Sequence, residues 1–172
     1  DIKSKEGNKF GTVTVMSVVM TNSVSGIPSD YYRATLAAGG NNLADFTTST
    51  KKFPDASDKT WLLDPKYNPQ YLIHFSSVKL GEQPASKTIS AIKTNFSETN
   101  AYQNGDYYVV NGIVPLPVRL AYTASIMYND LVTTEYADSI FTEYLKDFVG
   151  SDKTADDFKI VWNTEELNAL IK

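Results

Sequence analysis

Runs of apolar and β-branched residues predict a strand-rich body for most of this chain. Phe10 to Thr21 is rich in Val and Thr, is bounded by polar segments, and predicts a first strand. Tyr71 to Leu80 predicts a second strand and Lys87 to Phe96 a third. A short strand from Tyr107 to Val110 follows an Asn-Gly turn signal. These segments indicate a sheet as the main structural element.

The clearest alternation of apolar and polar positions in the chain runs from Val118 to Tyr128. One face of this segment collects Val118, Leu120, Tyr122, Ala124, Ile126 and Tyr128. A period of two over this length is typical of a half-buried strand. Pro115 and Pro117 stiffen the approach to this segment. We therefore predict the longest strand of the protein here.

The pattern then changes to a helical period. Apolar residues fall at helical spacing at Tyr136, Ala137, Ile140, Phe141, Tyr144, Leu145 and Phe148. This spacing predicts an amphipathic helix over about 133–149, with a threonine cap at its start and Gly150 as its stop. Phe158 to Trp162 predicts a last short strand, and Glu165 to Lys172 a short carboxyl-terminal helix capped by Asn163 or Thr164.

These elements predict an α+β fold, a mostly antiparallel sheet packed by the amphipathic helix and the short carboxyl-terminal helix. We expect residues 1–172 to form a single domain. Tyr31 to Ala38 is compatible with either a helix or a strand. Residues 42–68 are rich in Pro, Asp and Asn and predict a long irregular arm or loop.

Charge and composition narrow the classes of function. The net charge is −4, there is no cysteine, and only two arginines stand against fourteen lysines. The chain has no block of like charges that would indicate nucleic-acid binding or a membrane-surface patch. Its apolar runs are too short to predict a transmembrane helix. Eleven tyrosines with many Ser, Thr and Asn residues favour broad polar contact surfaces.

No pattern in the sequence predicts a catalytic, metal or cofactor site. His74 is the single histidine, and alternation with Ile73 and Phe75 predicts that it lies on the less buried face of its strand. A catalytic histidine needs a nucleophile and an orienting acid, and the chain has no nucleophile-elbow motif. The acidic residues match no calcium-binding loop, and the glycines form no phosphate-binding loop. We expect a protein that is not an enzyme and has no cofactor.

One segment resembles a known family. The residues PLPVRLAYTASIMYND, followed by the helical ADSIFTEYLKDF and the extended FKIVW, resemble the tail sheath stabiliser, or tail completion (neck), proteins of contractile-tailed bacteriophages. The resemblance spans roughly Pro115 to Trp162. It rests on two proline positions, on a strand with Arg119, Tyr122 and Ser125, and on paired apolar residues in the helix.

This resemblance implies a tail-terminator-like fold and a structural virion protein that assembles into a ring on a phage tail. Its expected partners are other tail or neck proteins and further copies of itself. The alternative is an exported surface or ligand-binding β-rich module, secreted or at the cell surface. For either function the candidate interaction residues are Trp61, Leu62, Leu63, Arg119, Tyr31 and Tyr32.

Overall fold

The structure, a computed structural model, describes residues 11–20, 23–46 and 64–171. In these ranges the chain forms one mixed sheet of six strands. The strands are β1 (Thr14–Met20), β2 (Ser23–Val24), β3 (Asn41–Asn42), β4 (Tyr71–Ser76), β5 (Tyr107–Asn111) and β6 (Val161–Trp162). Their order is β2-β1-β4-β5-β6, and β3 also pairs with β1.

The sheet is mostly parallel, so the prediction of a mostly antiparallel sheet was wrong. β1 pairs in parallel with β3 and β4, and β4 pairs in parallel with β5. Only the short β2 and β6 run antiparallel to their neighbours. The physical reason lies in the connections, because parallel neighbours need long crossovers and helices supply them here.

Six α-helices flank the sheet in the described ranges. They are α1 (Asp30–Ala37), α2 (Ser86–Phe96), α3 (Asn100–Gln103), α4 (Leu116–Met127), α5 (Thr134–Tyr144) and α6 (Thr164–Ala169). None of the described helices is long and apolar enough to cross a membrane.

The helices cover both faces of the sheet. On one face α2 and α6 pack against side chains of β1, β4 and β5, in a cluster that includes Met16, Leu72, Ile89, Ile92, Phe96, Tyr107 and Leu167. On the other face α4 packs against Val15, Ile73, Phe75 and Val110 through Ala124 and Met127. The result is a three-layer arrangement in which the central strands are buried on both faces.

The segment predicted as the longest strand is the helix α4. Its buried side chains are Val118, Ala121, Tyr122, Thr123, Ala124, Ser125 and Met127. Ala124 and Met127 pack on the sheet, whereas Val118 and Ala121 pack on α5. A helix that is covered on two sides carries apolar residues around most of its circumference, and such a pattern also satisfies a period of two. The two prolines precede or open the first turn, a position that helices accept.

The predicted third strand, Lys87 to Phe96, is the helix α2. Its buried residues are Ile89, Ile92 and Phe96, which lie three and four positions apart and therefore share one helical face. The β-branched Thr and Ile residues of this segment favoured a strand. The helix forms instead because it buries this apolar face against the sheet, which outweighs the local preference.

The carboxyl-terminal predictions are largely confirmed. α5 forms where the helical period begins, Thr133 caps it by accepting a hydrogen bond from the Tyr136 backbone N–H, and a π-helical turn (Leu145–Val149) continues it. Gly150 ends the helix with a left-handed φ of 68°. β6 and α6 follow in the predicted order, and Asn163 caps α6.

Of the predicted arm, residues 47–63 lie outside the described ranges. In the described part of the arm, Asn42 belongs to β3 and residues Leu43–Phe46 form a 3₁₀ turn. Asn42 is fully buried and donates hydrogen bonds to the Ser17 and Thr35 hydroxyls at 2.9 and 2.8 Å. These contacts tie the segment after α1 to β1.

Candidate functional site

The carboxyl ends of the parallel strands meet at one edge of the sheet. β1, β4 and β5 all end there, and α1 and α4 begin there because they run back along the sheet. In open sheets with helices on both faces, this edge is where ligands usually bind. We call it the carboxyl edge.

Three side chains from different elements stack at the carboxyl edge. The ring of Tyr31, in the first turn of α1, lies parallel to the ring of Phe75 at the end of β4, with centroids 4.9 Å apart and planes at 18°. The guanidinium of Arg119, in the first turn of α4, lies 5.0 Å from the centroid of the Tyr31 ring. The stack therefore holds a cation in place through a cation–π contact.

Arg119 is half-buried and has no counter-charge in the described part of the chain. The ion pairs found there join Lys79 to Glu82 and Lys159 to Glu166. The Nε of Arg119 is buried and has no hydrogen-bond partner among the described residues. Because a buried guanidinium donor is costly to leave unpaired, this position is suited to an acceptor that the chain itself does not provide.

Asn111 and Gly112 form the floor beside this stack. Asn111 is fully buried; its side-chain oxygen accepts a hydrogen bond from the Ile113 backbone N–H, and its Nδ2 has no partner among the described residues. The N–H of Gly112 donates to the carbonyl of Ser76 at 2.7 Å. A Cβ at Gly112 would lie 3.3 Å from the Tyr31 hydroxyl, so glycine permits this close approach.

The helix termini at the carboxyl edge favour negative charge. α1 and α4 both begin here. The first turn of α1 already contains Asp30, whereas that of α4 contains no acidic residue, so the partial positive charge of the α4 terminus adds to that of Arg119. Ser29 accepts a hydrogen bond from the Tyr31 backbone N–H and caps α1. Pro115 precedes α4 and provides no side-chain cap.

An apolar groove of about 340 Å³ adjoins the start of α4. Its walls include Pro115, Pro117, Ile140 and Tyr144. Phe148 stacks on Tyr144 with centroids 5.8 Å apart and is 80% exposed. Glu143 also lines this groove, whereas Arg119 does not.

The other candidate residues lie elsewhere. Tyr32 is buried in the core, where desolvation and, secondarily, the charge of Asp45 raise its pKa. Trp61, Leu62 and Leu63 lie outside the described residues. His74 is 2% exposed and pairs in register with Val18 and Val109, so the expectation of a less buried face was wrong. Helices cover that face of the sheet as well as the opposite one.

Sequence reasoning singled out Tyr31 and Arg119 but not their neighbours Phe75, Asn111 and Gly112. The available signal was the polar Asn-Gly pair directly after the apolar run of β5. The described residues contain no group of three or more side chains suited to hold a metal ion.

Comparison with known proteins gives a consistent result for the fold. No protein-family model matches the sequence, and no curated protein matches it either. Among solved structures, a TroA-like periplasmic binding protein FepB from Veillonella parvula is similar, with a TM-score of 0.69 and 16% sequence identity over 94% of this chain. CeuE from Helicobacter pylori with Ni(II) bound has a TM-score of 0.62 and 14% identity over 86% of this chain.

The fold matches about half of several solved solute-binding proteins. A third similar structure, an ABC transporter solute binding protein from Sulfurospirillum deleyianum, has a TM-score of 0.58 and 19% identity over 84% of this chain. This chain spans about half the length of these structures: 51% of FepB, 47% of CeuE and 46% of the third.

The resemblance to phage tail completion proteins was therefore wrong, and so were the virion ring and the tail or neck partners inferred from it. The motif that suggested it was interpreted as a strand followed by a helix, whereas it forms two packed helices, α4 and α5. The structural neighbours agree better with the alternative, an exported ligand-binding module.

Proposed function

We propose that this chain is part of a solute-binding protein and that it binds an anionic solute at the carboxyl edge. The observation that carries the proposal is the guanidinium of Arg119, which is held over Tyr31 and lacks a counter-charge in the described part of the chain. A carboxylate, phosphate or similar oxyanion would supply the missing acceptor and would be held by two parallel hydrogen bonds.

The neighbourhood of Arg119 supports an anionic solute over a neutral one. The amino terminus of α4, which has no acidic residue in its first turn, adds partial positive charge to the same edge. Asn111 offers an unpartnered amide donor that could contact further oxygen atoms of the solute.

The length comparison supports a shared site. Because this chain spans about half of each solved neighbour, we propose that it supplies one side of the binding site and that further polypeptide supplies the other. We further propose an exported protein without enzymatic activity that delivers its solute to a membrane transporter, as the name of the Sulfurospirillum neighbour suggests.

A binding screen with a matched arginine control tests this function. Thermal unfolding and calorimetry would be recorded with citrate, phosphate and small carboxylates, alongside neutral amides of the same acids. We expect at least one anion to bind to the wild type and Arg119→Gln to weaken it by about tenfold or more, because a charge-assisted hydrogen-bond pair is lost.

The control is Arg33→Gln, which removes the other arginine of the chain from an exposed position on α1. This variant has the same change in net charge and should bind the anion as the wild type does. Equal weakening by both substitutions would contradict a site at Arg119, and so would anion binding that is unaffected by Arg119→Gln.

A further inference from the structure

A second pocket lies away from the carboxyl edge, between β5, β6 and the helices α4 and α6. Its volume is about 350 Å³, and an adjoining depression of about 530 Å³ shares Tyr108 and Asn163 with it. Tyr108 stands near the start of β5, the opposite end of the sheet from Asn111. The pocket around Tyr108 takes no part in the anion site proposed above.

Tyr108 lines both the pocket and the adjoining depression. It is half-buried, and its ring centroid lies 6.4 Å from that of Tyr71 on the neighbouring strand β4. Its hydroxyl makes no hydrogen bond to any described residue. Burial, aided by the charges of Asp106 and Tyr71, raises the pKa of Tyr108, so the hydroxyl stays protonated and can donate. A tyrosine in this position offers a ring face and a donor to the same ligand.

The two charged side chains that line the 350 Å³ pocket form an ion pair with each other. Lys159 and Glu166 both line it, and they pair with each other through the lysine Nζ and the Glu166 Oε1. Glu166 also accepts a hydrogen bond from the Asn163 backbone N–H through its second oxygen. An anionic ligand would therefore find no unpaired cation among the residues that line this pocket, in contrast to the carboxyl edge.

Neutral hydrogen-bonding groups make up much of the rest of the lining. Asn129 and Thr134 contribute an amide and a hydroxyl, and neither side chain is used in a hydrogen bond with the described residues. Ile126 and Val161 add apolar surface next to the Tyr108 ring. Neutral donors and acceptors beside an aromatic ring match a ligand with hydroxyl groups around an apolar carbon face.

We propose that the pocket around Tyr108 binds a neutral, hydroxylated ligand of the saccharide class. The pyranose ring would lie against Tyr108, and its hydroxyls would bond to Asn129, Thr134 and the Tyr108 hydroxyl. Lys159 and Glu166 would each contact the sugar without giving up their own pairing. This site is independent of the solute proposed for Arg119.

Ligand-observed NMR and calorimetry on the full chain test the saccharide site. The probes are glucose, N-acetylglucosamine and maltose, with citrate as the charged comparison. We expect at least one saccharide to bind to the wild type. Tyr108→Leu should weaken it by about tenfold or more, and Tyr108→Phe, which keeps the ring, by about threefold to tenfold through loss of one hydrogen bond.

Three further variants make the result decisive. Asn129→Ala removes an exposed side chain that makes no hydrogen bond to the described residues. This substitution should weaken saccharide binding by about threefold or more. Tyr136→Leu, at a 57%-exposed tyrosine on α5 that does not line this pocket, should leave saccharide binding unchanged. Arg119→Gln should also leave it unchanged while affecting only anions, so failure of one site is distinguishable from failure of the other.

The proposal is overturned if none of the three saccharides binds, or if bound saccharide is indifferent to both Tyr108→Leu and Asn129→Ala. Displacement of the saccharide by citrate that is lost when Tyr108 is replaced would also overturn it, because a pocket without an unpaired cation should not bind the anion. Thermal unfolding of each variant checks that it is folded. If Tyr108→Leu does not fold, the proposal is judged on Tyr108→Phe and Asn129→Ala. It is then overturned if neither of these variants weakens saccharide binding.

Discussion

The carboxyl edge and the pocket around Tyr108 contain similar residue types but differ in charge pairing. Each has a tyrosine, an asparagine and a long basic side chain. At the carboxyl edge Arg119 stands over an aromatic ring and forms no ion pair with a described carboxylate, whereas Lys159 in the pocket is paired with Glu166. The comparison predicts that the pairing of a cation, and not its presence, decides whether a surface selects anions.

The largest expected effect comes from reversing the charge at the carboxyl edge. Arg119→Glu should abolish binding of the anionic solute, by about a hundredfold or more, because attraction becomes repulsion near the same donors. Calorimetry measures this loss. Arg33→Glu changes the net charge equally from an exposed position on α1 and should reduce anion affinity only slightly. Comparable losses in both variants would mean that overall charge, and not the site, attracts the anion.

The second-largest expected effect is a difference in salt dependence between ligand binding at the carboxyl edge and ligand binding in the pocket around Tyr108. Raising the salt concentration from 0.02 to 0.5 M shortens the screening length from about 20 Å to about 4 Å. We expect anion affinity to fall by about tenfold and saccharide affinity to change by less than about twofold. Titrations of each ligand over this range measure the effect. If the affinities for the anion and for the saccharide fell equally with salt, the proposed difference between the unpaired Arg119 and the paired Lys159 would be contradicted.

A smaller effect should follow from removing the ring beneath Arg119. Tyr31→Leu keeps an apolar side chain against Phe75 but loses the cation–π contact. Without it the guanidinium is less well fixed, and anion affinity should fall by about threefold to fivefold. Tyr31→Phe, which keeps the ring, is the matched control and should retain most of the affinity. Equal losses in these two variants would assign the effect to the hydroxyl.

The smallest expected effect concerns the paired cation. Lys159 and Glu166 have side chains that are 49% and 40% exposed, so Lys159→Gln should lower the free energy of unfolding by less than about 1 kcal/mol. Chemical denaturation measures this change. A loss above about 2 kcal/mol would show that the ion pair is a structural requirement of the fold.

The same pair predicts a pH dependence with a defined sign. Burial opposes ionisation of Glu166, but its hydrogen bonds with Lys159 and with the Asn163 backbone N–H outweigh burial and hold its pKa below the ordinary value of 4.5. This stabilising contribution is therefore present above pH 4.5 and is lost as the pH falls through the lowered pKa. In Lys159→Gln the loss of stability over this window should be smaller, which denaturation at several pH values would detect.

The sequence predicted some elements well because their local signals and their burial agree. β1, β4 and β5 are apolar runs with β-branched residues, and they are strands buried on both faces. α5 has one apolar face and one polar face, so its helical period is visible in the sequence. Gly150 and Asn163 end and begin helices through backbone and side-chain properties that are local.

The prediction failed where a segment has two packing partners or a weak local preference. α4 lies between the sheet and α5, and residues on several sides of it are buried, so its alternation did not distinguish a helix from a strand. α2 contains β-branched residues whose strand preference is small compared with the gain from burying Ile89, Ile92 and Phe96. Because α2 lies in the connection between the parallel strands β4 and β5, its interpretation as a strand also changed the expected direction of the strands.

The sequence by itself determined the strands at the centre of the sheet, the helix α5 with its caps, and the presence of one arginine, Arg119, within an apolar segment. Only the tertiary structure decided that the strands are parallel, that α4 is a helix, and that Arg119 meets Tyr31 and Phe75 at one edge. The physical reason is that local preferences act over a few neighbouring residues. By contrast, the approach of side chains far apart in sequence depends on how helices and sheet bury their apolar faces together.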